Sequence, residues 1–127
     1  NYGDMKRDFT YVEDLVEGIR LLMDAVPVRL SEGEAVPEGD SLSPVAPWRI
    51  VNIGNSKSVQ LTEFIDAIEE ATGRTAERNL MPMQPGDVVA TWADADLLQK
   101  LTGYTPRTSV REGIAKFVAW YREYYQV

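Results

Sequence analysis

Arg7 and Asp8 stand side by side in the run Lys6-Arg7-Asp8-Phe9-Thr10-Tyr11, immediately before a helical pattern begins. On a pleated strand neighbouring side chains point to opposite faces, so the two are not simply a surface ion pair. The fork of Arg7 could hold a diphosphate or a carboxylate. Equally, Arg7 could be solvated while Asp8 serves the local backbone. Far along the chain, Pro85-Gly86-Asp87 reads as a tight turn, or as a turn that presents Asp87 to a sugar hydroxyl.

Two other spacings invite a chemical reading and do not sustain it. Tyr2 and Lys6 have the Tyr-x-x-x-Lys spacing of short-chain dehydrogenases, which needs both side chains on one helix face. Gly3 and Asp4 intervene as a turn signal, and on a strand positions i and i+4 lie roughly 13 Å apart. Gly54-Asn55-Ser56-Lys57-Ser58 sits between a strand-like run and a helical pattern, where a phosphate loop would lie. It has one glycine and matches neither G-x-G-x-x-G nor the P-loop, so a plain turn is the better reading.

The composition narrows the chemistry further. With no cysteine, disulfides and thiolate chemistry are excluded, and a cytoplasmic location fits. With no histidine, the commonest neutral-pH general base is missing, and zinc would have only carboxylates as ligands. A net charge of −7 with scattered arginines argues against nucleic acid, because phosphate contacts along a duplex need a basic face. No apolar run reaches the roughly 18 residues of a membrane span. At 127 residues the chain suggests one domain or a piece of one. Its start at Asn1, inside what reads as a strand, suggests a piece.

The elements that must position these residues can be read from pattern. Tyr2 to Tyr11 reads as a hairpin or bent strand turning at Gly3-Asp4. Thr10 and Glu13 have capping-box spacing, so a helix should begin near Val12, with apolar residues through Val26 at helical spacing and Pro27 ending it. The proline- and acid-rich run over 27–47 has little to bury and predicts a long, mobile surface loop, or more sharply a lid. Trp48 to Ile53 predicts a strand, and Leu61 to Ala71 a second helix ended by Gly73. Residues 76–81 suggest another short strand. Asp94 should cap a short helix stopped at Gly103, and Thr108 or Ser109 the last helix, with Ser109 and Glu112 as a second capping box. The resulting order, β-α-β-α-β-α-α, is an α/β fold: a small lobe of short strands packed with about four helices.

Taken together, these residues resemble the C-terminal part of the extended short-chain dehydrogenase/reductase superfamily, the Rossmann-type nucleotide-sugar epimerases and dehydratases. Arg7-Asp8-Phe9-Thr10-Tyr11-Val12-Glu13-Asp14 looks like its R-D-F/Y-x-x-V-x-D segment, and Val51-Asn52-Ile53-Gly54 like its Y-N-I/L-G strand. Gln84-Pro85-Gly86-Asp87-Val88 followed by Ala93-Asp94 looks like R/Q-x-G-D … A-D, and Gly103-Tyr104-x-Pro106 completes the order. Within the superfamily, MKRDFTYVEDLVEGI, MQPGDV and FVAWYREYY resemble the epimerases acting on UDP-glucuronate at C4.

That resemblance implies an NAD-dependent interconversion of UDP-glucuronate and UDP-galacturonate, in which C4 is oxidised, the keto sugar turns over and hydride returns to its other face. It implies that residues 1–127 form a UDP-sugar-binding region without activity of its own. The NAD-binding Rossmann domain and the helical Tyr-x-x-x-Lys pair are expected upstream, and the parent is expected to be a homodimer through that upstream lobe. Carried over by position, Arg7 becomes the diphosphate contact and Asp87 the partner of the uridine ribose hydroxyls. Phe9 would wall the nucleotide pocket and Val59 would lie against the uracil. Gln84 stands where many relatives have arginine; its amide can hydrogen-bond phosphate but adds no charge. The nearest rival is a UDP-glucuronate decarboxylase yielding UDP-xylose, followed by another nucleotide-sugar dehydratase or a UDP-galactose-type epimerase. A rival of another class is a stand-alone nucleotide-sugar-binding module.

Overall fold

The computed structural model describes all residues, 1–127. Six elements follow in order: β1 (Lys6–Asp8), α1 (Val12–Asp24), β2 (Ser58–Gln60), α2 (Leu61–Thr72), α3 (Asp96–Thr102) and α4 (Val110–Tyr125). β1 and β2 form a two-stranded antiparallel sheet in which Arg7 faces Val59 and Asp8 faces Ser58. Lys6 also makes a parallel bridge to Ala90, so the segment after the Asp87 turn runs along the free side of β1.

The α/β reading and the four helices hold, but the strand content is smaller and lies elsewhere. The expected hairpin over Tyr2–Tyr11 is a three-residue strand preceded by a turn, and its partner lies fifty residues away. Trp48–Ile53 is not a strand, despite its β-rich composition. Its neighbours are side chain and loop: Ile50 exchanges bonds with the Ser41 hydroxyl, and Asn52 donates to the Asp94 carbonyl at 3.2 Å. Residues 76–81 also form no strand. There Arg78 is drawn back to α2 by Asp66 and Glu69, each at 2.7 Å. The β-pairing falls instead on Ser58–Gln60, which leads directly into α2.

Helix boundaries follow the pattern more closely than the caps do. α1 begins at Val12 as expected, but Tyr11 is the N-cap and no side chain caps it; Thr10 and Glu13 form no box. Ala95 is the N-cap of α3, while the Asp94 carboxylate accepts the Asp96 N–H at 3.0 Å and so caps from one residue back. Ser109 caps α4 as expected by accepting the Glu112 N–H. Glu112 itself turns to Lys116, 3.0 Å away, so the reciprocal half of that box is not made. Gly73 and Gly103 end α2 and α3 in the left-handed conformation, where a Cβ would be unfavourable.

The core lies between α2 and α4, where Ala67, Ile114 and Val118 are buried and Phe64, Ala71 and Val110 close around them. A second contact sets α1 against α3, whose Leu98 is fully buried. α1 approaches Ile53 closely at Gly18, where a Cβ would meet Ile53 at 3.1 Å. The opposite stripe of α1, Val12, Val16, Ile19 and Met23, is exposed. The 27–47 run contains no regular element, yet Leu42 and Ser43 are buried and Arg49 pairs with Asp40 at 3.1 Å. Its far end is thus packed, contrary to the expectation that it buries little.

Asp14 ties α1 to the entry of α4. Its carboxylate accepts the Thr108 N–H at 2.8 Å, the Thr108 hydroxyl at 2.9 Å and the Arg107 N–H at 3.1 Å. Burial pushes this carboxyl up, but the bonds from Thr108 and Arg107 outweigh it, and the net direction is below the usual value. A lowered folded-state value means stability fully present above the unfolded carboxyl's pKa, about 4, and lost as pH falls through the lowered value. Asp14→Asn weakens this set of bonds and is expected to destabilise the chain by about 1.5–3 kcal/mol at pH 7, the worth of a hydrogen bond to a charged group. The gap between variant and wild-type melting temperatures should close as the pH is taken from about 5 to about 2.5; a gap that stays constant over that range would contradict it.

Candidate functional site

β1 splits Arg7 and Asp8 as a pleated strand must, and each finds a different set of partners. Arg7 Nη2 meets Asp87 Oδ1 at 2.5 Å, and Nη1 donates to the Lys6 carbonyl at 2.8 Å. In an antiparallel pair, directly opposed residues share a face, so Val59 lies beside Arg7 on that side. Asp87 is presented by the Gln84–Asp87 turn, closed by its own N–H to the Gln84 carbonyl at 3.2 Å. Gly86 has φ +84° there, a conformation that glycine adopts freely. The flanks of the turn are pinned to the N-terminal segment: Tyr2 N–H donates to the Met81 carbonyl at 2.8 Å and Lys6 N–H to the Val89 carbonyl at 2.9 Å. Arg7, Val59 and Asp87 thus converge from three stretches of sequence.

The other two expected contacts do not join that group. Gln84 is exposed on the same turn, and its amide donates to the Pro82 carbonyl at 3.1 Å. Phe9 stacks on Phe64, with centroids 4.1 Å apart and planes 20° from parallel. It lines an apolar groove of about 830 Å³ between α2 and α4, together with Tyr11, Phe117 and Tyr121.

Asp8 carries a structural role that the sequence indicates only in outline. Its Oδ1 accepts the Asn55 N–H at 3.1 Å; its Oδ2 accepts the N–H groups of Ser56 and Ala93, each at 3.0 Å. The backbone it serves is therefore 47 to 85 residues away, not local. Gly54 is buried at the centre of this knot, where a Cβ would come within 2.5 Å of Ala93 Cβ and 2.9 Å of Asp8 Oδ2. A shallow hollow of about 340 Å³ opens beside it, lined by Asp8, Asn52, Gly54 and Thr91 among others. Asn55 extends the knot by donating its side-chain amide to the Thr108 carbonyl at 3.1 Å.

The knot also decides what the Gly54-Asn55-Ser56 turn can bind. A dinucleotide phosphate would need its free N–H groups, and those of Asn55 and Ser56 are given to Asp8. Tyr2 has φ +54° in a turn, and Lys6 lies on β1, so this pair is not on a helix. Neither this turn nor the Tyr2 and Lys6 pair is arranged to hold a nicotinamide dinucleotide.

This arrangement of short strands and helices recurs in solved structures. It superimposes with a TM-score of 0.73 on UDP-glucose 4-epimerase from Bifidobacterium longum in complex with NAD+ and UDP, at 25% identity over 96% of this chain and 34% of that one. It matches MoeE5 in complex with UDP-glucuronic acid and NAD with a TM-score of 0.71, at 28% identity over 96% of this chain and 35% of that one. The architecture is that of extended short-chain dehydrogenase/reductase enzymes, in the class of the nucleotide-sugar epimerases. Within it, the chain belongs to the GDP-mannose 4,6 dehydratase family, which it matches over residues 1–117. A probable UDP-glucuronate 4-epimerase of Rhizobium meliloti (strain 1021) is 48% identical over 126 residues, which are 98% of this chain and 36% of the relative. The chain thus spans between 28% and 38% of the length of curated relatives it matches.

Proposed function

We propose that this chain supplies UDP-sugar contacts to an NAD-dependent UDP-glucuronate 4-epimerase, with NAD and the catalytic groups carried by another part of that enzyme. The observation that carries this reading is the convergence of Arg7, Val59 and Asp87. A guanidinium, an apolar side chain and a hydroxyl acceptor are brought together from residues up to 80 apart. Such a set suits the diphosphate, the flat base and the ribose hydroxyls of a uridine nucleotide, respectively. Arg7 would draw in the diphosphate by charge and orient it by the planarity of its fork. Asp87 would accept from the ribose hydroxyls, and Val59 would cover one face of the uracil. The relative named as a probable UDP-glucuronate 4-epimerase and the neighbour in complex with UDP-glucuronic acid support this choice of sugar. Phe9 and Gln84 are kept as weaker contacts, Phe9 as part of the pocket wall and Gln84 as an amide near the phosphates.

The reading is tested on a polypeptide joining the upstream two-thirds of the Rhizobium meliloti relative to this chain. It is incubated with UDP-glucuronate and NAD+, and the sugar anomeric protons are followed by NMR. UDP-galacturonate is expected to appear at constant total uronate, with no turnover by the 127-residue chain alone. UDP-xylose and CO2 would replace epimerisation by decarboxylation. Turnover by the isolated chain would overturn the division of labour proposed here.

A further inference from the structure

The groups proposed to meet a diphosphate and a ribose already hold each other. Arg7 is 23% exposed and Asp87 32%, so their ion pair is partly sheltered and neither charge, once separated, regains full hydration. Both Nη atoms of Arg7 are engaged, one by Asp87 and the other by the Lys6 carbonyl. The turn opposite is held lightly. Gln84, Pro85, Gly86 and Val88 are exposed, and the hydrogen bonds within the turn run among its own residues. Between its anchors at Met81 and Val89, its one hydrogen bond to the rest of the chain is the one from Arg7 to Asp87.

We infer that Asp87 is the specificity-determining residue of this site: it closes Arg7 to anions that lack hydroxyl groups and releases it to a ligand bearing a diphosphate and a vicinal diol together. The inference rests on the reading of Arg7 and Asp87 proposed above and goes beyond it. A bare anion that took Arg7 would leave a half-sheltered carboxylate without its cation and beside an incoming negative charge. A nucleoside diphosphate removes that cost, because its ribose hydroxyls donate to the displaced carboxylate while its diphosphate takes the guanidinium. Discrimination then comes from what the wrong ligand leaves unpaired, not from an extra contact to the right one.

The test compares inorganic pyrophosphate, uridine and UDP as ligands of the joined polypeptide described above by calorimetry, with Asp87 intact and as Asp87→Asn. Asparagine keeps the shape and removes the charge. Pyrophosphate affinity is expected to rise about tenfold or more, and the preference for UDP over pyrophosphate to fall by at least that factor. Asp87→Ala, which removes the side chain's polar atoms, should show the same gain for pyrophosphate. Circular dichroism establishes that both variants are folded. Unchanged or weaker pyrophosphate binding in the folded variants overturns the inference. If UDP binding then still depends on Arg7, the site assignment survives and only the selection by Asp87 is lost. If Arg7→Ala binds UDP as well as wild type does, the assignment itself is lost. Failure of every variant to bind any probe counts against both, since an uncovered guanidinium should take pyrophosphate unaided.

Discussion

On the function proposed above, replacing Arg7 by alanine in the joined polypeptide is expected to weaken UDP-sugar binding by about 10- to 150-fold, the equivalent of one charge-assisted hydrogen bond of about 1.5–3 kcal/mol. The diphosphate loses its cation, which is the dominant effect. Asp87, now paired with Arg7 at 2.5 Å, gives up that partner when the ligand binds in the wild type, so the partner's absence in the variant removes a cost of binding and offsets part of the loss. Arg7→Lys should fall between wild type and alanine, because a point charge remains but the planar fork does not. Titration of the folded polypeptide with UDP decides the matter, and an unchanged affinity in Arg7→Ala would show that the diphosphate is held elsewhere.

The second large effect falls on folding. Asp8→Ala leaves three backbone N–H groups, those of Asn55, Ser56 and Ala93, without their acceptor. The Ser56 N–H is exposed and can turn to water, but those of Asn55 and Ala93 are part-buried, and at about 1–3 kcal/mol for each unsatisfied donor a loss of about 2–4 kcal/mol is expected. With a core built on so few buried side chains, that is a large part of the roughly 5–15 kcal/mol that keeps a domain folded. Asp8→Asn should recover part of the loss, because one carboxamide oxygen can still accept. Urea unfolding of the three proteins measures the order directly. A midpoint for Asp8→Ala within error of wild type would mean that the knot contributes nothing.

The helices were legible because their signals are local. The apolar spacing from Val12 onward, the glycines at 73 and 103, and Ser109 three residues before Glu112 each act within a turn or two of themselves. The sheet was not legible, because a strand is defined by its partner and the partners here are remote. Trp48–Ile53 has the composition of a strand, but its backbone meets the Ser41 side chain and not another strand. Ser58–Gln60 looks like the end of a turn, yet it pairs with β1. At the site, the types of Arg7 and Asp87 suggested an anion and a hydroxyl ligand, but nothing in the sequence says that they touch. Asp8 was half legible: service to local backbone was one of two readings, whereas its reach to residues 55, 56 and 93 depends on tertiary structure. Asp14 had one signal, its place at the end of the quoted R-D-F-x-x-V-x-D segment, and pattern alone assigned it no partner.

The separation of these contacts has a consequence for the order in which the molecule assembles. Arg7 and Asp87 are 80 residues apart, and Asp8 and Ala93 are 85 apart, so each contact closes a loop spanning most of the chain. Closing such loops costs entropy before any contact offsets it, and contacts of this range slow folding. The α2–α4 core, whose partners are nearer in sequence, can form earlier. The region joining Arg7 and Asp8 to residues 87–93 would then be the last part to acquire its shape, and protection of the Ala93 amide from hydrogen exchange would appear late in refolding, after that of α2. An intact site is therefore a report on the whole chain, since it exists only when both ends have found each other.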